Sequence, residues 1–146
     1  MKKLVLYVIA LVSICACGGF GLAYEKHLAG DYYLIAIDTR QEMSVSYRDS
    51  NYRNIYCGVI NDGLYELGYN EHFIIAKKYK EIKDSLGWST HSYDKNITEY
   101  YIVPVDSVNA RNKYWGPFTK EEFKRKRKEV GIPDSLQFYI RMKDLL

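Results

Sequence analysis

The side chains best suited to chemistry in this 146-residue chain are Ser89, His91, Ser92 and Asp94, crowded into SLGWSTHSYD, and Cys57 in NIYCGVIN. Serine, histidine and aspartate are the residue types of a hydrolytic triad. A triad needs a nucleophile, a base and an orienting acid that converge in space, and neighbours along one short segment do not supply that geometry. No G-x-S-x-G is present, so the segment reads as a solvated polar loop. A metal site would have to draw on His27, His72 and His91 together with Cys57. No pair among them has ligand spacing, and C-x-x-C, H-E-x-x-H and acidic calcium loops are all missing. Walker-type and dinucleotide glycine loops are missing too. The sequence therefore nominates no catalytic residue, no metal ligand and no cofactor.

Binding has better candidates. The run Lys124, Arg125, Lys126, Arg127 and Lys128 would point around most of a helix circumference, so these cations cannot all serve packing. Near anionic lipid each contributes about 1 kcal/mol, which would suit head groups or teichoic acid. Partial compensation by Glu121, Glu122 and Glu129 supports the plainer reading of a solvated face. Tyrosine is abundant, 15 of 146 residues, and strand alternation sends Tyr32 and Tyr33, or Tyr100 and Tyr101, to opposite faces. We place Tyr32 and Tyr101 with Trp88 on a candidate contact surface, since aromatic rings give area at low entropic cost. The alternative is that tyrosine is simply a good strand residue with a wet tip. Trp88 either docks its polar segment on the domain or stands out as a contact residue, and docking is the favoured reading.

The N-terminus carries an address. Lys2 and Lys3 precede an unbroken apolar run from Leu4 to Val12, and small or polarizable residues follow at Ser13, Cys15, Ala16 and Cys17. This is the layout of a signal peptide, and the run is shorter than the roughly 20 residues a membrane span needs. Ile14-Cys15-Ala16-Cys17 resembles the lipobox of bacterial lipoproteins, with Cys15 in the place usually held by Ser, Ala or Thr. The resemblance implies cleavage after residue 16 and a diacylglycerol on Cys17, in many bacteria with an N-acyl chain as well. Two or more chains anchor stably where one is marginal. Gly18, rather than Asp, implies the outer membrane or the outer face of the cell membrane. Ordinary secretion and an uncleaved anchor are the alternatives.

Loss of Lys2 and Lys3 would reduce the 21 basic side chains to 19, against 18 acidic ones. No broad positive excess is left to mark a nucleic-acid binder. With Cys17 acylated, Cys57 would stand alone in an exported protein and is expected to be a buried, inert thiol.

These features divide the chain into a signal at 1–16, a glycine-rich tether at 17–30 and one globular domain at 31–146. DYYLIAID is a dense aromatic and β-branched run and MSVSYR alternates as a half-buried strand, the two joined by a polar turn. IYCGVI and LYELGY flank Asn61-Asp62-Gly63, a strong hairpin signal, and LYELGY and FIIAKKY flank Asn70-Glu71-His72. EYYIVPV is a further strand, with Pro104 at an edge or bulge. Residues 80–97 read as a long polar connection. FTKEEFKRKRKEVGIP is a capped helix: Thr119 and Glu122 form a capping box, Phe118 and Phe123 a staple, and Gly131 and Pro133 the stop. The end, SLQFYIRMKDLL, fits a strand or a helical turn, with strand preferred.

The expectation is an α+β fold, an antiparallel meander of about five to six strands with one capped C-terminal helix. The strand order is similar to a propeller blade, but one blade cannot close a ring. GDYYLIAID, LGYNEHFIIAK, EYYIV and GPFTKEEFKRKRKEVGIP resemble an uncharacterised family of small bacterial lipoproteins, a domain of unknown function covering roughly 31–135. The resemblance implies shared architecture and carries over no activity. The expected role is non-catalytic: an exported lipoprotein, held to a membrane through Cys17, that binds a protein or envelope component. An immunity-type lipoprotein that neutralises a toxin is a second class, and a small envelope hydrolase using the loop around His91 a third.

Overall fold

Alternation over the first two apolar runs places Tyr32, Leu34 and Ala36 on one face, with Val45 opposite Leu34 across an antiparallel ladder. The computed structural model describes residues 22–39, 42–49, 55–105 and 113–145; the signal segment and Cys17 lie outside them. Strands β1 (Tyr24–His27), β2 (Tyr32–Ala36), β3 (Ser44–Asp49) and β4 (Ile55–Ile60) pair in sequence order as one antiparallel sheet. Strands β5 (Leu64–Tyr69), β6 (Phe73–Lys83), β7 (Ser89–Pro104) and β8 (Trp115–Phe118) continue as a second meander. The short β9 (Ile140–Arg141) returns beside β5.

Helix α1 (Lys120–Glu129) is the single α-helix among the described residues, so the fold is α+β and antiparallel. Leu34 and Val45 of the first sheet share a core with Leu67, Ile74, Ala76, Tyr101 and Val103 of the second. The other face of the second sheet, through Ile75 and Ile102, packs on Phe123, Ile132 and Leu136. Sheet, sheet and helix thus form successive layers, each burying the apolar face of the last.

Local chemistry explains the helix ends. Thr119 N–H donates to Glu122 Oε2 at 2.8 Å and Glu122 N–H to Thr119 Oγ1 at 3.3 Å. At the other end Gly131 takes φ +74°, and the N–H groups of Gly131 and Ile132 donate to the carbonyls of Lys128 and Arg127. That pair of bonds is a Schellman motif. Thr119→Ala is expected to cost about 1 kcal/mol in urea denaturation. The bond from Thr119 holds the Glu122 carboxyl below its usual range. Its contribution is therefore present above the unfolded pKa and fades as pH falls through the lowered folded value.

Several expectations need correction. The antiparallel α+β architecture is as expected, but the described residues form nine strands in two sheets, more than the five to six anticipated. The sheet begins inside the stretch assigned to the tether, since β1 pairs with β2 and Leu28 and Ala29 are buried. Asn61-Asp62-Gly63 does not close a hairpin: β4 and β5 belong to different sheets, and the turn carries the chain between them. Asn70 does organise a hairpin, its Oδ1 accepting from the N–H groups of His72 and Phe73. Cys57 is only half-buried. The segment 136–145 contributes the two-residue β9 and then a 3₁₀ turn, Met142–Asp144.

The largest difference concerns residues 80–97, which are not a loop. Lys80 pairs with Asp94, Glu81 with Tyr93, Ile82 with Ser92 and Lys83 with Ser89, so β6 and β7 run on together as a two-stranded arm. Water on both faces removes the alternation that marks a half-buried strand, which is why polarity concealed it.

Candidate functional site

Helix α1 covers only part of the second sheet. Beside it a cleft of about 460 Å³ is lined by Lys77, Tyr100, Phe123, Phe138 and a basic row on the helix. Its floor is aromatic. The rings of Tyr100 and Phe123 stack with centroids 5.1 Å apart, and Phe138 closes the group at 5.8 Å from Phe123 and 6.3 Å from Tyr100. Phe123 is there because α1 turns one narrow apolar stripe to the sheet. Tyr100 is there because alternation along β7 sends it opposite to Tyr101. Lys77 Nζ lies 4.4 Å from the centre of the Phe138 ring and 2.6 Å from Glu66 Oε2.

The rim is cationic. Lys120, Lys124 and Lys128 recur at four-residue spacing, share one side of α1 and all line the cleft. All are exposed, and among the described residues none has an ion-pair partner. Arg127 also lines the cleft, but its Nη2 donates to the carbonyls of Pro133 and Leu136. It therefore clamps the chain after the helix. Asp134 is the one acid among the described lining residues. Unpaired ammonium groups repeated in a row along the rim suit an anion whose charges repeat along its length.

The basic run thus divides. Lys124, Arg125 and Lys128 are exposed. Lys126 pairs with Glu129 at 2.6 Å and lies over the Trp115 ring at 5.1 Å. Tyr32 and Tyr101 are not surface residues, with exposures of 1% and 8%, because their side of each strand faces the shared core. The outward neighbours are Tyr33 and Tyr100. Trp88 does not dock: it is 71% exposed, at the far end of the arm. Lys77, Lys120 and Phe138 were not nominated by the sequence. The spacing of Lys120, Lys124 and Lys128 was a readable signal, whereas Lys77 and Phe138 arrive only through tertiary packing.

Ser89, His91, Ser92 and Asp94 are spread along the arm strand. Ser89 Oγ accepts from the backbone N–H of His91, and Asp94 Oδ1 from that of Asn96. These side chains organise their own backbone. The described residues contain no cluster of His, Cys, Asp and Glu able to hold a metal ion.

A second hollow of about 480 Å³ lies at the root of the arm, lined by Glu42, Asp62, Tyr65, Tyr79, His91 and Tyr93 among others. Burial, followed by Asp62, Glu81 and Glu42, pushes the Tyr93 hydroxyl up to about 12. Burial and a hydrogen bond to Glu25 push Tyr56 equally far, to about 12. Burial, then Glu99, also raises Tyr101. A raised folded pKa gives stability that is complete below the unfolded value near 10.0 and is lost as pH climbs towards the folded value. Stability should accordingly fall between about pH 10 and 12. Tyrosinate absorbance followed alongside circular dichroism should show these hydroxyls ionising together with unfolding.

The model of a family described as "Protein of unknown function (DUF3997)" matches residues 29–143. No curated protein and no solved structure matches the chain. Among the described residues no helix is long and apolar enough to cross a membrane.

Proposed function

Since the chain belongs to this family of unknown function, we propose from its own residues that it is an exported bacterial lipoprotein with a non-catalytic binding role at the cell envelope. Cys17 carries the acyl chains, and the anchored face of the membrane is the outer membrane or the outer side of the cell membrane. The cleft beside α1 captures an anionic envelope component. The observation that carries the binding half of this reading is the row of Lys120, Lys124 and Lys128 over Tyr100, Phe123 and Phe138. What supports the anchoring half is the order of Lys2 and Lys3, the apolar run and Ile14-Cys15-Ala16-Cys17.

Poly(glycerol phosphate) is a suitable probe, because its repeating phosphates match a row of cations. Binding should weaken as salt is raised. At about 1 kcal/mol per cation, replacing Lys120, Lys124 and Lys128 by alanine should weaken it roughly a hundredfold. Isothermal titration checks this, and equal affinity in the triple variant would remove the cleft from the reading. Mass spectrometry of the protein from its host tests the anchor: a thioether-linked diacylglycerol on an N-terminal Cys17 is expected, and an intact leader would refute it.

A further inference from the structure

The arm formed by β6 and β7 ends in an apolar tip that the body of the protein does not use. Leu86 is 80% exposed and Trp88 71%, with Ile82 and Ile97 also exposed on the way out. The turn that carries them is tightly built. Asp84 Oδ1 accepts from the N–H groups of Leu86 and Trp88, Asp84 N–H donates to the Trp88 carbonyl, and Gly87 N–H donates to the Asp84 carbonyl. Gly87 adopts φ +83° with open space around it. The fold thus holds two large apolar side chains in water on a braced turn, at the end of a ribbon that no third strand joins among the described residues. The β5 ladder stops at Lys78 and the β8 ladder at Tyr100, whereas the arm runs on to Lys83 and Ser89.

The arm leaves the body at the end where the described chain begins. Ala23 N–H donates to the Ala36 carbonyl, which sets the start of the chain beside the β2–β3 connection. Glu42, at the close of that connection, lines the same hollow as Asp62, His91 and Tyr93 at the arm's root. Gly30, at the other end of the first sheet, lies against Val105, where β7 finishes. From Cys17 to Leu22 the chain spans at most roughly 18 Å at about 3.3–3.6 Å per residue. The arm from Lys80 to its turn stands out by a comparable roughly 15 Å at about 3.3 Å per residue.

We propose that the tip of this arm, Leu86 and Trp88, inserts into the interface of the bilayer that holds Cys17, giving the protein a second, non-covalent foot. The inference rests on the anchor reading above. Tryptophan favours the membrane–water boundary, where its ring is half in apolar surroundings and its N–H meets water. The arm carries Lys80, Lys83 and Lys95 against Glu81, Asp84 and Asp94, so its attraction is apolar. Insertion should need no anionic lipid and should survive added salt, unlike binding in the cleft.

The test uses the acylated protein with Trp115→Phe, which leaves Trp88 as the one remaining tryptophan of two. The protein is reconstituted on phosphatidylcholine vesicles with brominated acyl chains. Trp88 emission is expected to shift to shorter wavelength and to lose most of its intensity to bromine quenching, with Leu86→Asp abolishing both changes. Vesicle-bound protein whose Trp88 keeps its emission in water would overturn the proposal. So would a blue shift without quenching, which would mean that another protein or a second copy covers the tip. Failure of the anchor is read separately, as absence of lipid on Cys17 by mass spectrometry.

Discussion

Phe123→Ala is expected to cost about 3–5 kcal/mol and to free α1 from the second sheet. Phe123 is the single buried residue of the helix; the rest of α1 is charged and, apart from the half-buried Lys126 and Arg127, exposed. Its ring stacks on Tyr100 and touches Phe138, and it stands one turn inside a cap whose staple partner is Phe118. Removing it leaves a void among Ile75, Ile102, Ile132 and Leu136 that no neighbouring backbone can fill without moving, so both transfer and cavity terms apply. An isolated helix of this length is marginal in water, and α1 should therefore lose order together with its anchor. Thermal denaturation would report the stability loss, and amide exchange over 120–129 would report the helix. Poly(glycerol phosphate) binding should vanish, since the cationic row would no longer stand over an aromatic floor. A variant with full helical protection would show that the clamp from Arg127 to Pro133 and Leu136, not the ring, holds α1 in place.

What the sequence disclosed about this fold was what local chemistry decides. Thr119 and Glu122 serve each other across a single turn, and Gly131 ends the helix through its own φ. Both were legible because no distant residue is needed to make them. The Asp62-Gly63 turn shows the limit. Turn chemistry reports that the chain reverses, while the choice of neighbour is made by the core, and here it sends β5 to a second sheet. Alternation likewise placed Tyr32 and Tyr33 on opposite faces but could not say which face was inside. Tyr32 is buried, and so is Tyr101. The arm and β1 went unrecognised because neither carries the apolar signal of a half-buried strand. For the cleft, four-residue spacing put Lys120, Lys124 and Lys128 on one side of a helix. That side acquires meaning only when Lys77, Tyr100 and Phe138 are brought beneath it from β6, β7 and the chain after α1.

The way that last segment is held makes Gly68→Ala the second large effect. A methyl group added at Gly68 would lie 1.9 Å from the Gln137 carbonyl oxygen and 2.9 Å from its carbon. Both are backbone atoms, so no side-chain rotation relieves the clash, and the segment 136–141 has to lift from β5. Tyr139 N–H donates to the Leu67 carbonyl, the Tyr139 hydroxyl donates to the Tyr69 carbonyl, and Ile140 and Arg141 pair with Leu67 and Glu66. All four links run through the displaced stretch. Overpacking typically costs about 1–3 kcal/mol, and the loss of β9 places this variant at the upper end. Gln137 and Phe138 move with the segment, and Leu136 presents one of the carbonyls that Arg127 clamps. The substitution should therefore reshape the cleft from its far wall without touching a cation. Weakened binding with an unchanged salt dependence would identify that route. A variant with native stability and native affinity would mean that residues 136–141 are not seated against β5.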